Sequence, residues 1–569
     1  MTLRAFFLAT AIALAPLGAV QADNDAQDSE RARLLGDYLA GSYARYLRDS
    51  QAQSRYFQDA HRLAPDDLQL GRLALYSALF SDDRKLAVKT AERIVKQEKS
   101  ESMARATLAV EAFSRGRSAR VRKYATDPTR DITMGPVLNI IAGWNAVDEG
   151  RLDRARTFFG DLGDARYFDL LGQLQLAKLE ARAGNVEEAI ALFDTVEESG
   201  IAHVEVNLAR ARFDAARGET EAARERLQAL VDDNAAAELG PVGDYIARLD
   251  AGRALPKLSE RAEAARALTV PVFEFFYRNQ SQDGAETYLR FARWIDPDFD
   301  QAALWLASLL DDTHELESEP AVREEVLALY RAIDDDSPYV VSARLSESNI
   351  YFDLKQDETA LDVLEKLAAD HPSYYTREAL GRARFFREKW GEALPFYDDL
   401  VTSLGDEALR ANPEPLRLRG IIHERLGRWP EAEADFERVL SYTPEDADTL
   451  NYLGYTWVDR GENLEEGFDM IEKALELEPQ SGAITDSLGW AHYKLGRYGE
   501  AKQYLEDAVV LSPYSATIID HLGDAYWRLG RKREATYQWK RALEYDPTDE
   551  ERAAIEAKLA AGPNAVPAQ

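Results

Sequence analysis

Cysteine is missing from all 569 residues, and methionine (four) and histidine (seven) are scarce. Without a thiol the chain can form no disulfide, no thiolate metal site and no cysteine nucleophile, and it offers no cysteine to receive a lipid. Positive charge is also short. The 69 Lys and Arg face 101 Asp and Glu, a formal net charge of −32. A surface this acidic opposes the phosphate backbone, so nucleic acid is not an expected partner and basic or mixed-charge proteins are. One local exception, Arg117, Arg120, Arg122 and Lys123, reads as a solvated helix face.

Long apolar runs are lacking as well. The one candidate lies in residues 1–22, where Arg4 precedes the apolar stretch from Ala5 to Leu17 and Val20-Gln21-Ala22 leads into Asp23. That stretch is too short to span a bilayer and fits a cleavable secretory signal, so the mature chain is expected to leave the cytoplasm with no transmembrane segment.

What is abundant is Ala, Leu, Glu, Arg and Asp, with few clustered β-branched runs, which predicts an all-α protein. A chain this long exceeds one compact core and suits a repeat array. Shifted against itself by 34 residues, the C-terminal part superimposes Leu488 on Leu522, Gly489 on Gly523, Gly496 on Gly530, Ala501 on Ala535, Ala508 on Ala542 and Pro513 on Pro547. Each type suits a helix-turn-helix unit: Gly489 and Gly523 for close helix approach, Gly496 and Gly530 for the turn, the alanines for crossings, and the prolines as helix stops.

These segments resemble the tetratricopeptide repeat (TPR). Residues 516–549 carry Leu522, Gly523, Tyr526, Gly530, Ala535, Trp539, Ala542 and Pro547. The preceding unit puts His492 where Tyr is usual, the one before it has an extra residue near Asn463, and the unit 413–444 has Arg419 in place of Leu. Weaker copies run back to residues 34–67 through Gly41, Phe57, Ala60 and Pro65.

The resemblance implies an α-solenoid, a right-handed superhelix of hairpins, in two arrays. Residues 1–22 are the signal, 23–33 a linker, 34–231 an N-terminal degenerate array and 232–265 an interruption or hinge around Gly240-Pro241, Gly252 and Pro256. Residues 266–340 are expected as irregular hairpins and 341–549 as the C-terminal array, with lengthened loops at 311–319 and 403–415. Thr548 and Glu551 open a capping helix at 550–561, and 562–569 form a disordered tail.

Catalytic patterns are lacking. His61, His203, His314, His371, His423, His492 and His521 stand in no metal-binding spacing and read as structural residues. Asp296, Asp298 and Asp300 surround Pro297 at a repeat end, without the Gly and Glu of a calcium loop. No phosphate loop or GxSxG elbow occurs, so no enzyme activity, metal or cofactor is expected.

In the TPR family the first helix of each hairpin lines the concave groove. This makes Asn451, Tyr455, Asp459, Asp486, Trp490, Lys494, Asp520, Asp524, Trp527 and Arg528 the candidate partner-binding residues. The layout is similar to proteobacterial envelope TPR proteins that act as adaptors of a periplasmic carboxyl-terminal processing protease and bring it cell-wall enzymes. Those adaptors are lipoproteins, and this chain lacks their cysteine. The resemblance implies a non-enzymatic periplasmic scaffold or adaptor for protein partners. The alternatives are an envelope-assembly factor for exopolysaccharide or lipopolysaccharide, and a glycan-binding protein.

Overall fold

The protein was analysed as a computed structural model, which describes residues 24–47, 49–126, 129, 134–163, 166–199, 204–233, 240–272, 281–313 and 319–562. The expected signal (1–22), His203, His314 and the tail beyond Gly562 lie outside the described residues. The described residues form thirty α-helices and no strand, an all-α array of helical hairpins of the tetratricopeptide type. They divide into two compact units, one ending at Val363 and one starting at Leu364.

The C-terminal unit shows how the repeat pattern makes the fold. Helices Ala447–Arg460, Gly482–Lys494 and Ala516–Arg528 each begin at a polar cap, where Asp446, Ser481 and Ser515 accept the N–H of Thr449, Ile484 and Ile518. Such a cap contributes about 1 kcal/mol by satisfying a helix-start N–H. Each helix then packs on its successor, Leu464–Leu477, Tyr498–Leu511 or Lys532–Ala542. Small residues set how closely. A Cβ added to Gly523 would stand 2.5 Å from the Trp539 ring, so only glycine allows the indole to lie against the first helix. Ala501, Ala535, Ala508 and Ala542 are fully buried at the crossings.

Two departures from the repeat pattern are absorbed locally. The extra residue of the 447 unit is taken up by two left-handed positions, Gly461 (φ 73) and Asn463 (φ 43), around the turn. Arg419, standing where Leu is usual, turns its guanidinium onto both oxygens of Asp435 (2.8 and 2.7 Å) on helix Trp429–Tyr442 and onto Asp398 at 3.2 Å.

The N-terminal unit uses the same hairpins differently. Helices Leu68–Phe80, Ser102–Ser114 and Gly135–Asp148 are first helices, but twelve of the fourteen residues of Gly135–Asp148 and ten of the thirteen of Ser102–Ser114 are buried. The chain itself covers them. Helix Glu260–Pro271 packs on Gly135–Asp148, and helix Gln282–Ile295 packs on Ser102–Ser114 and Leu68–Phe80. One continuous apolar core results, running from Leu75 to Ala360 and including Leu268, Tyr288, Leu289 and Phe291.

Arginines close the seams. Arg290 gives an N–H to the Phe80 carbonyl (2.8 Å) and Arg261 one to the Ser114 carbonyl (3.1 Å), at the last residues of two first helices whose C-terminal carbonyls lack helical partners. Deeper in, the Lys178 ammonium lies 2.9 Å from Glu205 and 3.0 Å from Glu263, all three buried, and joins Arg166–Ala183, Val204–Ala216 and Glu260–Pro271. Burial alone would raise the Glu205 and Glu263 carboxyls, but Lys178 and Arg212 hold both below the usual carboxylate range.

Several sequence-based boundaries therefore move. Residues 24–33, expected as linker, are part of helix Asn24–Tyr46. Residues 232–265, expected as a hinge, contain helix Pro241–Asp250, because Gly240-Pro241 is a helix start with Pro in the first turn rather than a break. The segment expected as irregular hairpins supplies the helices that fill the N-terminal groove. Residues 403–411, expected as a loop, stay helical in Trp390–Ala411, with the change of direction confined to Gly405 (φ 71, ψ 174). In the acidic 311–319 stretch, helix Asp300–Thr313 continues through the first three residues.

Candidate interaction surface

The candidate groove residues all belong to the C-terminal unit, on three consecutive first helices. A near-constant repeat period places equivalent side chains beside one another, and they bond from helix to helix. Trp490 Nε1 donates to Asp459 Oδ1 at 3.1 Å, and Lys494 Nζ lies 2.9 Å from the same oxygen. The Trp490 ring stacks with Tyr493 (4.6 Å, 6°) and with His521 (4.1 Å, 17°). Burial raises the Asp459 carboxyl, but the bonds from Lys494 and Trp490 outweigh it and leave it below its ordinary value.

A second layer is buried. Both oxygens of Asp486 lie within 3.0 Å of His521 Nδ1. Burial lowers the tendency of this imidazole to protonate, but Asp486 overcomes that and holds His521 above its ordinary pKa. Asp520 and Asp524 share the Lys558 ammonium at 2.5 and 2.8 Å, and Trp539 Nε1 donates to Asp524 at 3.0 Å. Burial and the adjacent Asp520 carboxylate push Asp524 up to about 6, against the pull of Lys558.

The ten candidates thus separate by role. Asp486 is a buried link between successive hairpins, and Asp520 and the buried Asp524 join the last hairpin to helix Asp549–Ala561. Trp527 leans on Trp539 (5.3 Å) and abuts Gly562. Facing outward are Asp459, Lys494 and Arg528, with Trp490, Tyr455 and Asn451 half-buried between them. Burial, then Asp459 and Asp486, raise the Tyr455 phenol well above its usual pKa, so it stays a neutral hydroxyl. Asn451 Oδ1 has no hydrogen-bond donor among the described residues.

Sequence reasoning missed Lys558 and Tyr493. Lys558 had a signal: it follows Asp524 by one 34-residue period, so continuing the repeat into the capping helix pairs the two. That helix opens with the Thr548–Glu551 capping box and buries Ile555.

Parts of the chain are similar to known proteins. The tetratricopeptide repeat pattern matches residues 413–446 and again 483–512. A TPR repeat-containing protein of Pseudomonas aeruginosa is 30% identical over 168 residues, covering 29% of this chain. The match spans only 27% of that relative's length. Among solved structures, a thermophilic TPR protein of Thermus thermophilus is 22% identical over 33% of this chain and 100% of its own, with a TM-score of 0.29. The APC/C hetero-tetramer Cut9-Hcn1 aligns over 93% of this chain and 96% of its own at 14% identity, with a TM-score of 0.35. With hairpins, glycine contacts and matched repeats together, residues 413–446 and 483–512 are tetratricopeptide repeats set in an all-α array of the same hairpins.

Proposed function

We propose that this chain is a non-enzymatic scaffold of the bacterial periplasm that binds protein partners on the first helices of its C-terminal unit, as an adaptor for a periplasmic protease or cell-wall enzymes. One observation carries the choice of surface. In the N-terminal unit the first helices are covered by the chain's own Glu260–Pro271 and Gln282–Ile295, whereas the C-terminal first helices keep Trp490, Tyr455 and Asn451 at a solvent-facing surface. Half-buried aromatics ringed by paired charges suit a peptide or helix that inserts an apolar anchor. Glycan binding is less favoured, because Trp490 is half-buried and already stacks with Tyr493 and His521.

The test is capture from periplasmic extract with wild-type and Trp490→Ala protein. The expected result is recovery of a protease or envelope enzyme by the wild type, and at least tenfold less by the variant, since a central aromatic anchor contributes about 2 kcal/mol or more. Equal recovery by both would remove this surface from the reading.

A further inference from the structure

Cations in this acidic chain are segregated. Helices Ser50–Leu63, Arg84–Gln97 and Ser118–Tyr124, the second helices of three consecutive hairpins, hold ten Arg or Lys and two acids, Asp59 and Glu92. Three second helices of the C-terminal unit, Trp390–Ala411, Trp429–Tyr442 and Leu464–Leu477, hold fourteen acids and three cations. The basic helices lie side by side: Arg120 reaches Glu92 at 2.9 Å, and Arg62 shares a shallow hollow with Arg93 and Lys96.

On Arg84–Gln97, the residues Lys85, Lys89, Arg93 and Lys96 are exposed and spaced four, four and three apart, one stripe along the helix. None forms an ion pair with a carboxylate among the described residues. Arg117, Arg122 and Lys123, expected as a solvated face, extend the same surface.

We propose that this basic face docks on an anionic lipid bilayer. Two properties favour a membrane over a protein. Lysine is depleted from protein interfaces, which need an apolar centre, and no large apolar side chain is exposed on the three basic helices. Unpaired lysines suit a surface whose phosphates are mobile and can gather beneath them. The helix packed against this face adds a second kind of contact. On Asn24–Tyr46, which meets Ser50–Leu63 through Gly41 and Phe57, one stripe of Leu35, Leu39, Tyr43 (62% exposed) and Tyr46 (67%) faces solvent and runs on into Leu47. Leucine with tyrosine is the composition that sits at a bilayer–water boundary, and a basic cluster plus an apolar stripe is a two-signal attachment. The net charge of −32 repels the rest of the chain from the same membrane, so docking is local, orienting and sensitive to salt.

Co-sedimentation of the full chain with vesicles tests this, using equal parts phosphatidylglycerol and phosphatidylcholine against phosphatidylcholine alone. Binding is expected only to the anionic vesicles and is lost in high salt. The variant K85Q/K89Q/R93Q/K96Q keeps its helix content and melting temperature but partitions at least tenfold less, from about fivefold per cation removed. A control, K532Q/R533Q/K540Q, neutralises exposed cations elsewhere and binds like wild type. No anionic-vesicle binding at low salt, equal loss in both variants, or binding to polyglutamate or duplex DNA in place of vesicles overturns the proposal.

Discussion

The two units take one hairpin in opposite directions. In the C-terminal unit, four of the thirteen residues of Tyr374–Phe386, seven of the fourteen of Ala447–Arg460 and nine of the thirteen of both Gly482–Lys494 and Ala516–Arg528 are buried, so the first helices keep an open side that narrows toward the end of the array. In the N-terminal unit, Ser102–Ser114 and Gly135–Asp148 are buried nearly all round, because a later segment of the chain lies across them. A groove in a repeat array is thus not by itself a binding site. The N-terminal one is core, held by arginine-capped helix ends and a buried lysine between two glutamates; the C-terminal one keeps Asp459, Lys494 and Arg528 exposed above a buried layer.

The sharpest way to break this comparison is Phe291→Ala, which empties a fully buried position in the inserted helix. It should cost about 3–5 kcal/mol. Hydrogen exchange during urea unfolding should place the loss in the N-terminal unit and spare residues 364–569. A loss shared equally would mean the units do not unfold separately.

Lys178→Met should cost somewhat less, about 3 kcal/mol, by leaving Glu205 and Glu263 buried near each other without their shared cation. The same exchange experiment reads it. Gly523→Ala is its C-terminal counterpart, expected to lower stability by about 1–3 kcal/mol as the new methyl meets the Trp539 ring, with the N-terminal unit unchanged.

The smallest effect, and the one that separates the units by sign, is acidity. Glu205 titrates below its ordinary value in the folded protein, so its contribution is present above about 4.5 and is lost as pH falls below that. Asp524, raised to about 6, and His521, also raised, do the reverse: each binds its proton more tightly when folded, so stability is gained as pH falls and lost as it rises through the folded value. Exchange protection of Asp549–Ala561 should rise from pH 7 to pH 5, while that of Arg166–Ala183 holds and then drops below pH 4. A fall in both between pH 7 and pH 5 would contradict the assignment.

Much of the fold was legible because the determinants are local. Glycine and alanine at 34-residue spacing fix helix approach whatever lies elsewhere, so residues 447–549 could be read from their own pattern. The inserted helices could not. Nothing within residues 260–295 names the helices they cover, although the nearly uninterrupted apolar run Pro136 to Trp144 is what a helix buried on all sides requires. At the candidate surface, position along a first helix places the residues on three consecutive helices but does not show which carboxylates are already engaged. Asp486 and Asp524 are committed to His521 and Lys558 one repeat further on, partners visible only when the period is followed across units.

The filling of the N-terminal groove also bears on the order of events during synthesis. Arg290 bonds to Phe80, and Arg84 to the carbonyl of Trp294, each across 210 residues of chain. The C-terminal hairpins need only their neighbours and can form as they emerge, whereas the first array must wait for a segment made much later before its apolar helices are sheltered. Until then the first part of the chain stays unfinished, which lengthens the interval in which it remains threadable and open to chaperones.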